Sequence, residues 1–241
     1  MGWFLKMGVE FGLKEGAIFI ADAHYRPGDT SLPQFLERLV ASPPPQLILV
    51  GDLFQLLLPF PQLVEWNRPV IELLEELGGK TEVYYLEGNH DFLLDSIFKN
   101  VKVVPFLLAD PEKGVVISHG DMTAPPLSYW VYTRLIRRKW VLRGLHWGSF
   151  NWMDGRVFKK ILQKPTDCDP IPDFNRTVKY KLERVLGESP NFTTLVEGHY
   201  HQQGRWEFDG KIYYALPSFY CSHLFTRYLN STFLYESFQP S

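Results

Sequence analysis

The sequence predicts an α/β fold, because short apolar segments of strand length alternate with amphipathic helical segments. Residues 17–21 and 47–50 are continuously apolar, which is typical of strands buried on both faces. The segments that follow them, residues 30–41 and 63–77, carry apolar residues at helical spacing, and Gly78-Gly79 is predicted to end the second helix. This order of strand, helix, strand and helix is the signature of an α/β protein.

Further strands follow in chain order, each bounded by turn-forming residues. Asp209-Gly210 favours a hairpin turn between two of the last strands, which are expected to be antiparallel. The predicted later strands are residues 82–86, 101–104, 114–118, 194–197, 205–208, 211–216 and 232–237.

Residues 124–186 differ in character from the strand-rich segments on either side. They have helical patterning, and basic residues alternate there with aromatic and aliphatic ones. We therefore expect a single domain over residues 1–241, with residues 124–186 inserted as a helical lid. From Arg134 to Lys164 the insertion carries nine basic residues and the single acid Asp154. The basic residues are Arg134, Arg137, Arg138, Lys139, Arg143, Arg156, Lys159, Lys160 and Lys164.

Bulk composition argues against several classes of protein. A formal net charge of −2 gives no global basic field for nucleic acid. Cys168 and Cys221 lie far apart and form no Cys-x-x-Cys pair, so we expect no disulfide or zinc knuckle and favour a reducing compartment. No segment approaches the roughly 20 apolar residues of a spanning helix, and residues 1–9 lack the pattern of a secretory signal. Any membrane contact is therefore expected to be peripheral.

Asp52 is the centre of a set of polar residues that follow predicted strands. It comes after a glycine at a strand end, and such a pair alone is equally typical of a simple turn. Five of the seven histidines also lie just past strand ends, each beside Gly, Asp or Asn. Ligands of open α/β sheets bind at the carboxyl ends of strands, so these positions favour one shared site. The histidines are His24, His90, His119, His199 and His201, and their partners are Asp22, Asp52, Asn89 and Asp121.

The donor types of this set indicate divalent transition metals. Imidazole, carboxylate and amide groups together suit manganese, iron or zinc better than an all-oxygen calcium site or a thiolate site. The ligands suffice for two ions that share one carboxylate. Two ions about 3.5–4 Å apart can clamp the attacking and the leaving oxygen of a phosphoryl group, so the set predicts phosphoester hydrolysis.

In chain order, the motifs resemble the signature of the calcineurin-like metallophosphoesterases. The motifs are Asp22-x-His24, Gly51-Asp52, Gly88-Asn89-His90-Asp91, His119 and Gly198-His199-x-His201. The resemblance implies a four-layer α/β/β/α sandwich of two mixed sheets. It also implies two divalent metal ions, with Mn²⁺ preferred and iron or zinc as alternatives, and in-line attack on phosphorus by water or hydroxide held between them. The residues implied for one ion are Asp22, His24, Asp52 and His201, and those for the other are Asp52, Asn89, His119 and His199.

The Gly-Asn-His-Asp motif is expected to supply catalytic residues as well as a ligand. The resemblance implies that His90, which follows the ligand Asn89, is a general acid or a donor to the phosphoryl oxygens and that Asp91 orients it. A structural role of His90 behind the ligands is the alternative. Asp121 is expected either to hold a ligand histidine in its tautomer or to cap a turn.

The insertion is expected to select the substrate, and its pattern allows three interpretations. Basic residues with tryptophans on an amphipathic helix are typical of an element that faces an anionic lipid surface. The same mixture could stack bases and hold phosphates in a nuclease. The aromatic residues could also form the core of the lid, with the charges on its solvated face. The apolar members are Tyr129, Trp130, Tyr132, Leu135, Ile136, Trp140, Leu142, Leu145, Trp147, Phe150 and Trp152.

Several segments carry a closer resemblance. Residues 18–24, 51–54, 88–92 and 119–121, with a helical insertion before the last Gly-His-x-His, resemble the bacterial UDP-2,3-diacylglucosamine diphosphatases of lipid A synthesis. This resemblance implies hydrolysis of the pyrophosphate of UDP-2,3-diacylglucosamine to UMP and 2,3-diacylglucosamine 1-phosphate, with the acyl chains held by the inserted helices. A nucleotide or nucleic-acid phosphodiesterase that uses the same metal site is the alternative.

The closer resemblance also implies partners, location and substrate contacts. The expected partners are a lipid-linked nucleotide substrate and an anionic membrane surface, without nucleic acid, and the expected location is the cytoplasm, peripheral on the inner membrane. Asn175, Arg176 and Lys179, at the head of the last helix of the insertion, resemble the cluster that binds the substrate head group, although an exposed helix face gives the same pattern. The chain departs from well-known members at His90, where they have arginine.

Overall fold

The fold is known from a computed structural model, which describes residues 8–123, 125–138, 140–141, 144, 158–187 and 191–240. The strands are β1 (Val9–Glu10), β2 (Ile18–Ile20), β3 (Gln46–Val50), β4 (Glu82–Leu86), β5 (Lys102–Val104), β6 (Leu107–Asp110), β7 (Val115–Ser118), β8 (Thr194–Glu197), β9 (Gly204–Phe208), β10 (Lys211–Ala215), β11 (Leu224–Leu229) and β12 (Thr232–Ser237). The helices are α1 (Ser31–Ala41), α2 (Pro61–Trp66), α3 (Arg68–Lys80), α4 (Leu127–Ile136), α5 (Phe174–Leu186) and α6 (Phe219–Ser222).

The first sheet has the strand order β12-β11-β2-β3-β4-β5 and is mixed. Strands β2 to β5 are parallel to one another, whereas β11 is antiparallel to both β2 and β12. All five residues of β3 are buried, as expected for a continuously apolar strand with both faces covered. Because β2, β3 and β4 are parallel neighbours, their carboxyl ends lie at the same edge.

The second sheet has the order β1-β6-β7-β8-β10-β9 and is also mixed. Strands β7, β8 and β10 are parallel, and β9 pairs with β10 in an antiparallel hairpin. Asp209 and Gly210 in its turn have φ angles of 51° and 73°, the conformation that a two-residue hairpin turn requires. The predicted hairpin is therefore confirmed.

Alternate residues of each strand point to opposite faces, and this builds a sandwich of four layers. Between the sheets, Ile48 of β3 belongs to the same buried cluster as Val196 of β8. On the outer face of the first sheet, Leu49 packs in a cluster with Leu36 of α1 and Leu74 of α3. Helix α5 covers the outer face of the second sheet. The predicted four-layer α/β/β/α sandwich with two mixed sheets is thus confirmed.

Two helices occupy the region where one was predicted over residues 63–77. The helix is interrupted at Asn67, between α2 and α3. The side-chain amide of Asn67 donates to the carbonyls of Leu56 and Leu63 at 3.1 and 2.8 Å. Helix α3 then continues through Gly78-Gly79, the predicted stop, as far as Lys80. Strands β1, β6 and β11 have no counterpart among the predicted strands.

Glu82, at the start of β4, is the centre of a polar network that lies far from the carboxyl ends of the strands. Its carboxylate lies 3.1 Å from Lys14 Nζ and 2.5 Å from Lys102 Nζ, and it accepts hydrogen bonds from Gln46 and Tyr84. Partial burial alone would raise the pKa of Glu82, but hydrogen bonds from Lys102 and the other partners lower it to about 2.

The insertion contacts the core through its described parts. Ile136 of α4 and Phe158 pack in a cluster with Leu56, Leu58 and Leu63. Helix α5 lies within the predicted bounds of the lid but forms the outer layer of the sandwich. None of the helices in the described part of the chain combines the length and the apolar character that a membrane span requires. Predicted members outside the described residues are Lys139, Arg143, Arg156, Leu142, Leu145, Trp147, Phe150 and Trp152.

The expectation that Cys168 and Cys221 remain unpaired is wrong, because they form a disulfide. The two residues are 53 positions apart in sequence, yet their Cα atoms are 5.8 Å apart. The fold brings the segment before α5 against helix α6, and sequence spacing cannot reveal this proximity. The cysteine content therefore no longer favours a reducing compartment.

Candidate metal centre

The carboxyl ends of five strands, three from one sheet and two from the other, meet at one place. The side chains that follow them are Asp22 and His24 after β2, Asp52 after β3, Asn89 after β4, His119 after β7, and His199 and His201 after β8. Their His and Asp donor atoms form groups within 4.8 Å of one another. The fold therefore brings the predicted ligands together.

The first cluster consists of Asp22, His24 and His201. The Nε2 atoms of the two histidines lie 3.0 Å apart, and His201 Nε2 lies 3.5 Å from Asp22 Oδ1. Asp22 Oδ1 is buried and has no hydrogen bond, whereas Asp22 Oδ2 accepts one from the backbone of His199 at 2.8 Å. A buried carboxylate oxygen without a donor is unfavourable by about 1–3 kcal/mol, and a cation would remove that penalty.

The second cluster consists of Asp52, His119 and His199, with Asn89 beside them. His119 Nε2 lies 3.4 Å from Asp52 Oδ2 and 3.2 Å from Asn89 Oδ1. Asp52 also groups with His24 and His90, so its carboxylate stands between the two clusters. This is the position expected of a ligand that two ions share.

Backbone carbonyls orient two of the ligand histidines. His119 Nδ1 donates to the Val50 carbonyl at 3.0 Å, and His201 Nδ1 donates to the Asp167 carbonyl at 2.5 Å. A hydrogen bond from Nδ1 fixes the orientation of the ring and, in the neutral imidazole, leaves the Nε2 lone pair directed toward the site. Both rings are therefore prepared to bind a cation through Nε2.

Five of the seven candidate ligands have left-handed backbone conformations. Asp22, His24, Asp52, His199 and His201 have φ angles between 43° and 66°. Such a conformation is unfavourable by about 1 kcal/mol or more for each non-glycine residue, and it is concentrated at functional sites. The chain turns sharply at each strand end and thereby aims consecutive polar side chains into one space.

Two glycines allow the ligands to pack closely. A Cβ atom on Gly88 would lie 2.1 Å from Asp52 Oδ1, and a Cβ atom on Gly51 would lie 2.4 Å from His119 Nδ1. Gly51 also has a φ angle of 72°, which an L-residue rarely adopts. A glycine at each position leaves the space that the neighbouring ligand occupies.

Burial and the short distances between the candidate ligands shift the pKa values of several of them. Burial alone would raise the pKa of Asp52, but His119 lowers it well below its usual range, and Asp52 in turn raises the pKa of His119 against the effect of burial. Burial lowers the pKa of His24 to about 4, and burial with the neighbouring His119 lowers that of His199. An ionised Asp52 with neutral imidazoles at His24 and His199 is the protonation state that binds a divalent cation, whereas binding at His119 would release the proton that Asp52 favours there. The donor set therefore fits the expected metal pair.

The catalytic pair His90 and Asp91 is arranged differently from the prediction. His90 Nδ1 donates to the Gln55 carbonyl at 2.8 Å, and its backbone N–H donates to Asp52 Oδ1 at 2.8 Å. The Asp91 carboxylate, which was expected to orient His90, instead accepts from the hydroxyl of Tyr85 at 2.6 Å. Its other donors are the backbone N–H groups of Asp52, Phe54 and Gly88. Asp91 therefore holds the strand-end loops together, and Gln55 orients His90.

Arg137, at the end of α4, links the insertion to the metal loops, a role that the sequence did not reveal. Its guanidinium donates to the Gly88 carbonyl at 2.8 Å and lies 3.3 Å from Asp121 Oδ2 and 3.7 Å from Glu87 Oε2. Asp121 thus meets an arginine, whereas Val50 fixes the tautomer of His119. The sequence shows that the insertion is rich in basic residues, but it does not indicate which of them pairs with buried carboxylates.

A second buried charge lies behind the second cluster. Lys181 of α5 donates to the Gly120 carbonyl at 2.5 Å and to Thr123 Oγ1 at 2.6 Å, and its Nζ lies 3.4 Å from Glu197 Oε2. Glu197 also accepts hydrogen bonds from Ser118 and from the hydroxyls of Thr123 and Tyr213. This network joins α5 to the loops that carry His119 and His199.

The three predicted substrate contacts lie on the outer side of α5. Asn175, Arg176 and Lys179 are exposed, and Asn175 Oδ1 accepts from the indole N–H of Trp206 at 2.6 Å. No hydrogen bond joins these three residues to a candidate ligand within the described residues. The structure therefore does not bring them together with the metal centre.

A largely apolar cavity of about 240 Å³ opens beside Asn89 and His90. Helix α4 forms one wall with Tyr129, Ile136 and neighbouring residues. The other lining residues are Leu56, Leu58, Phe92, Tyr132, Thr133, Arg137 and Ile161. An apolar chain could lie in this cavity with a polar end at the metal centre.

Fold and site together define a metal-dependent phosphoesterase. The calcineurin-like phosphoesterase family matches the chain over residues 17–203, and the protein belongs to this family. The chain is 26% identical over 202 residues to the UDP-2,3-diacylglucosamine hydrolase of Coxiella burnetii (strain RSA 331 / Henzerling II), covering 77% of this chain and 80% of that protein. It is 28% identical over 167 residues to the UDP-2,3-diacylglucosamine hydrolase of Aromatoleum aromaticum, covering 65% of this chain and 66% of that protein. Among solved structures, a novel archaeal phosphodiesterase is similar over 91% of this chain and 96% of its own, with a TM-score of 0.45 and 13% identity.

Proposed function

We propose that this protein hydrolyses the pyrophosphate bond of UDP-2,3-diacylglucosamine to give UMP and 2,3-diacylglucosamine 1-phosphate. The observation that carries the proposal is the apolar cavity between α4 and Leu56, which adjoins Asn89 and His90. A substrate with a pyrophosphate next to acyl chains needs this combination of an anion-binding metal centre and an apolar wall. The curated relatives support the same substrate.

The chain's own residues have defined tasks in this reaction. Two divalent cations, which we propose are Mn²⁺, would activate water and neutralise charge on the phosphoryl oxygens when bound. Asp52 would be the carboxylate that both ions share, and His90 presents Nε2 toward the metal centre because the Gln55 carbonyl holds its Nδ1. When protonated, His90 stabilises the phosphoryl oxygens or protonates the leaving group. Asn175, Arg176 and Lys179, which the fold does not bring together with the metal centre, are given no task in this reaction.

The substrate assay measures UMP release from UDP-2,3-diacylglucosamine dispersed in detergent, with Mn²⁺ present. Ile136→Asp places a carboxylate in the wall of the cavity and should raise KM for this substrate. Ser128→Asp is the control, since Ser128 is an exposed polar residue of the same helix and its replacement adds a carboxylate without changing the cavity wall or the exposed apolar surface. Both variants should cleave bis(p-nitrophenyl) phosphate at the wild-type rate, which shows that the metal centre is intact.

The assay also separates the proposal from other phosphoesterase functions. If the wild type cleaves the aryl phosphodiester well but releases no UMP, the substrate is wrong although the class of enzyme stands. If it cleaves single-stranded DNA or cyclic nucleotides faster than the lipid nucleotide, a nucleic-acid or nucleotide phosphodiesterase replaces the proposal.

We also propose that α4 rests on an anionic membrane surface. Leu127, Val131, Leu135 and Trp140 are exposed apolar residues on or just after this helix, and Arg138 lies among them. Apolar side chains with neighbouring cations are typical of an interfacial helix. The protein should therefore cosediment with vesicles that contain phosphatidylglycerol and less with pure phosphatidylcholine vesicles, and Leu135→Asp should weaken this binding. Equal binding to both kinds of vesicle would contradict an electrostatic contribution.

A further inference from the structure

Residues 164–171 of the insertion form a strap that leads to helix α5 beside the first ligand cluster. All of its residues except Thr166 are exposed, so burial does little to hold it in place. The Asp167 carbonyl of the strap nevertheless accepts the Nδ1 hydrogen bond of His201 at 2.5 Å. The orientation of one candidate ligand therefore depends on a solvent-exposed segment.

Polar contacts hold the two ends of the strap. Arg26 donates to the Lys164 carbonyl at 2.9 Å and to Thr166 Oγ1 at 3.1 Å. The side chain of Gln202 accepts from the Ile171 N–H at 3.3 Å and donates to the Asp169 carbonyl at 3.3 Å. Exposed hydrogen bonds of this kind add little net stability, because water competes for the same groups.

The Cys168–Cys221 disulfide supplies the covalent attachment at the middle of the strap. Cys168 directly follows Asp167, and Cys221 belongs to α6. The residue before α6, Ser218, donates its hydroxyl to the Asp22 carbonyl at 2.8 Å, and the Tyr220 N–H donates to the same carbonyl at 3.2 Å. The disulfide thus joins the two segments that hold Asp22 and His201 from behind.

Among the described residues, no hydrogen bond joins the strap to a ligand of the second cluster. His119 is fixed by the Val50 carbonyl at the end of β3, and Lys181 and Glu197 support the loops of this cluster from α5 and β8. These residues are buried in the sandwich. A change in the strap should therefore reach one cluster and leave the other unchanged.

We propose that Cys168 and Cys221 are positioning residues for a single metal ion, the one held by Asp22, His24 and His201. While the disulfide is closed, the strap keeps the Asp167 carbonyl on His201 and this ion binds tightly. When the disulfide is open, the strap loosens and this ion binds weakly, while the other ion is retained. The inference rests on the proposed two-ion centre but not on the proposed substrate.

Opening the disulfide requires a reductant, and a trialkylphosphine serves as the probe. The phosphine attacks one sulfur and breaks the S–S bond. Water then supplies two protons to the two sulfurs and its oxygen to phosphorus, so the disulfide gains two electrons and the phosphine becomes its oxide. A phosphine is preferable to a dithiol because dithiols bind divalent metals.

The experiment titrates the metal-free full chain with Mn²⁺ by calorimetry, in the oxidised state, after phosphine treatment, and as the Cys168→Ser/Cys221→Ser variant. Loss of a group that orients a metal ligand typically weakens metal binding by about 10- to 100-fold. We expect two sites in the oxidised wild type. In the reduced wild type and in the double variant, one site should weaken by this factor and the other should keep its affinity. Electron paramagnetic resonance should show the spectrum of a coupled manganese pair change to that of a single ion.

Two controls separate positioning from general stabilisation. Phosphine should leave the double variant unchanged, which shows that the reagent itself does not remove metal. His201→Ala should already lack the tight first site, and reduction should change it no further, because the disulfide acts through His201. Reduction of folded wild type also provides the measurement if the double variant fails to fold.

Four results would overturn the inference. Two free thiols in the denatured, unreduced protein would show that the disulfide does not form. Equal affinities before and after reduction, or equal weakening of both sites, would show that the strap does not position one ion. Fewer than two ions bound by the oxidised wild type would overturn the metal centre together with this inference, whereas failure to release UMP would affect only the proposed function.

Discussion

Gly88→Ala tests whether close packing against Asp52 sets the geometry of the metal pair. The added Cβ atom would lie 2.1 Å from Asp52 Oδ1, 2.5 Å from Asp52 N and 2.9 Å from Asp52 Cγ. Non-bonded carbon atoms rest about 3.5 Å or more from their neighbours, so the carboxylate or its loop must move by roughly 1 Å. The neighbouring backbone cannot yield easily, because Asp91 binds the N–H groups of both Gly88 and Asp52.

A movement of this size exceeds what a metal centre tolerates. Ligand distances in metal sites vary by only about 0.2 Å, and a misplacement of about 1 Å at a reacting centre can lower the rate by about 100-fold. Because Asp52 stands between the two clusters, both ions should bind more weakly in Gly88→Ala. The value of kcat/KM for bis(p-nitrophenyl) phosphate should fall by about 100-fold or more.

The assay combines Mn²⁺ calorimetry, aryl phosphodiester hydrolysis and far-ultraviolet circular dichroism. Gly79→Ala is the matched control, because its Cβ atom would meet nothing within 4 Å and it lies in the exposed last turn of α3. The control should keep full activity and gain up to about 1 kcal/mol of stability from alanine's better helix propensity. A folded Gly88→Ala protein that binds two ions with wild-type affinity would refute the argument.

Other perturbations separate the roles of single residues. Asp52→Asn should abolish tight binding of both ions, whereas His201→Ala should abolish tight binding of one. The number of ions bound, measured by calorimetry, distinguishes the two variants. Loss of only one ion from Asp52→Asn would contradict a shared carboxylate. Lys181→Met should lower the free energy of unfolding of the metal-free protein by about 3–5 kcal/mol because it leaves Glu197 buried and without its cation. The Lys181→Met/Glu197→Gln protein should lose less in urea unfolding, and equal losses would argue against a buried charge pair. For Glu82, whose pKa falls from 4.5 to about 2 in the folded chain, the carboxylate stabilises the fold above pH 4.5 and loses this effect as the pH falls toward 2. Glu82→Gln should therefore be less stable than wild type by about 1 kcal/mol at pH 7, after allowance for solvent screening, and urea unfolding should show the difference shrinking at pH 3.

The metal centre could be predicted from sequence because its ligands are tied to strand ends. A buried strand is visible as an apolar run, and the residue after it must lie at the edge of its sheet. Asp52 after β3 and His119 after β7 could therefore be placed at an edge without coordinates. The apolar pattern did not show that the edges of the two sheets meet at one place. The family resemblance implied this.

Contacts between distant side chains could not be predicted in the same way. Asp91 follows His90 directly, yet its carboxylate turns into the core and meets Tyr85 because four donors converge there. Arg137 is one of nine basic residues between positions 134 and 164, and only the path of α4 decides that it reaches Gly88. The Cys168–Cys221 pair depends on two exposed segments meeting across 53 residues. In each case the partner is set by tertiary packing, which leaves no periodic signal.

The two ligand clusters differ in what supports them, and this difference bears on how the enzyme could vary among relatives. The loops of His119 are supported by the buried Lys181–Glu197 pair, so a change there destabilises the fold itself. His201 is oriented by an exposed strap that belongs to the insertion, so a change there alters one ion without disturbing the sandwich. The same insertion lines the apolar cavity through α4. Under the proposed function, substrate choice and the affinity of one ion would depend on the same segment, so substitutions that reshape the cavity should also change metal occupancy through the strap.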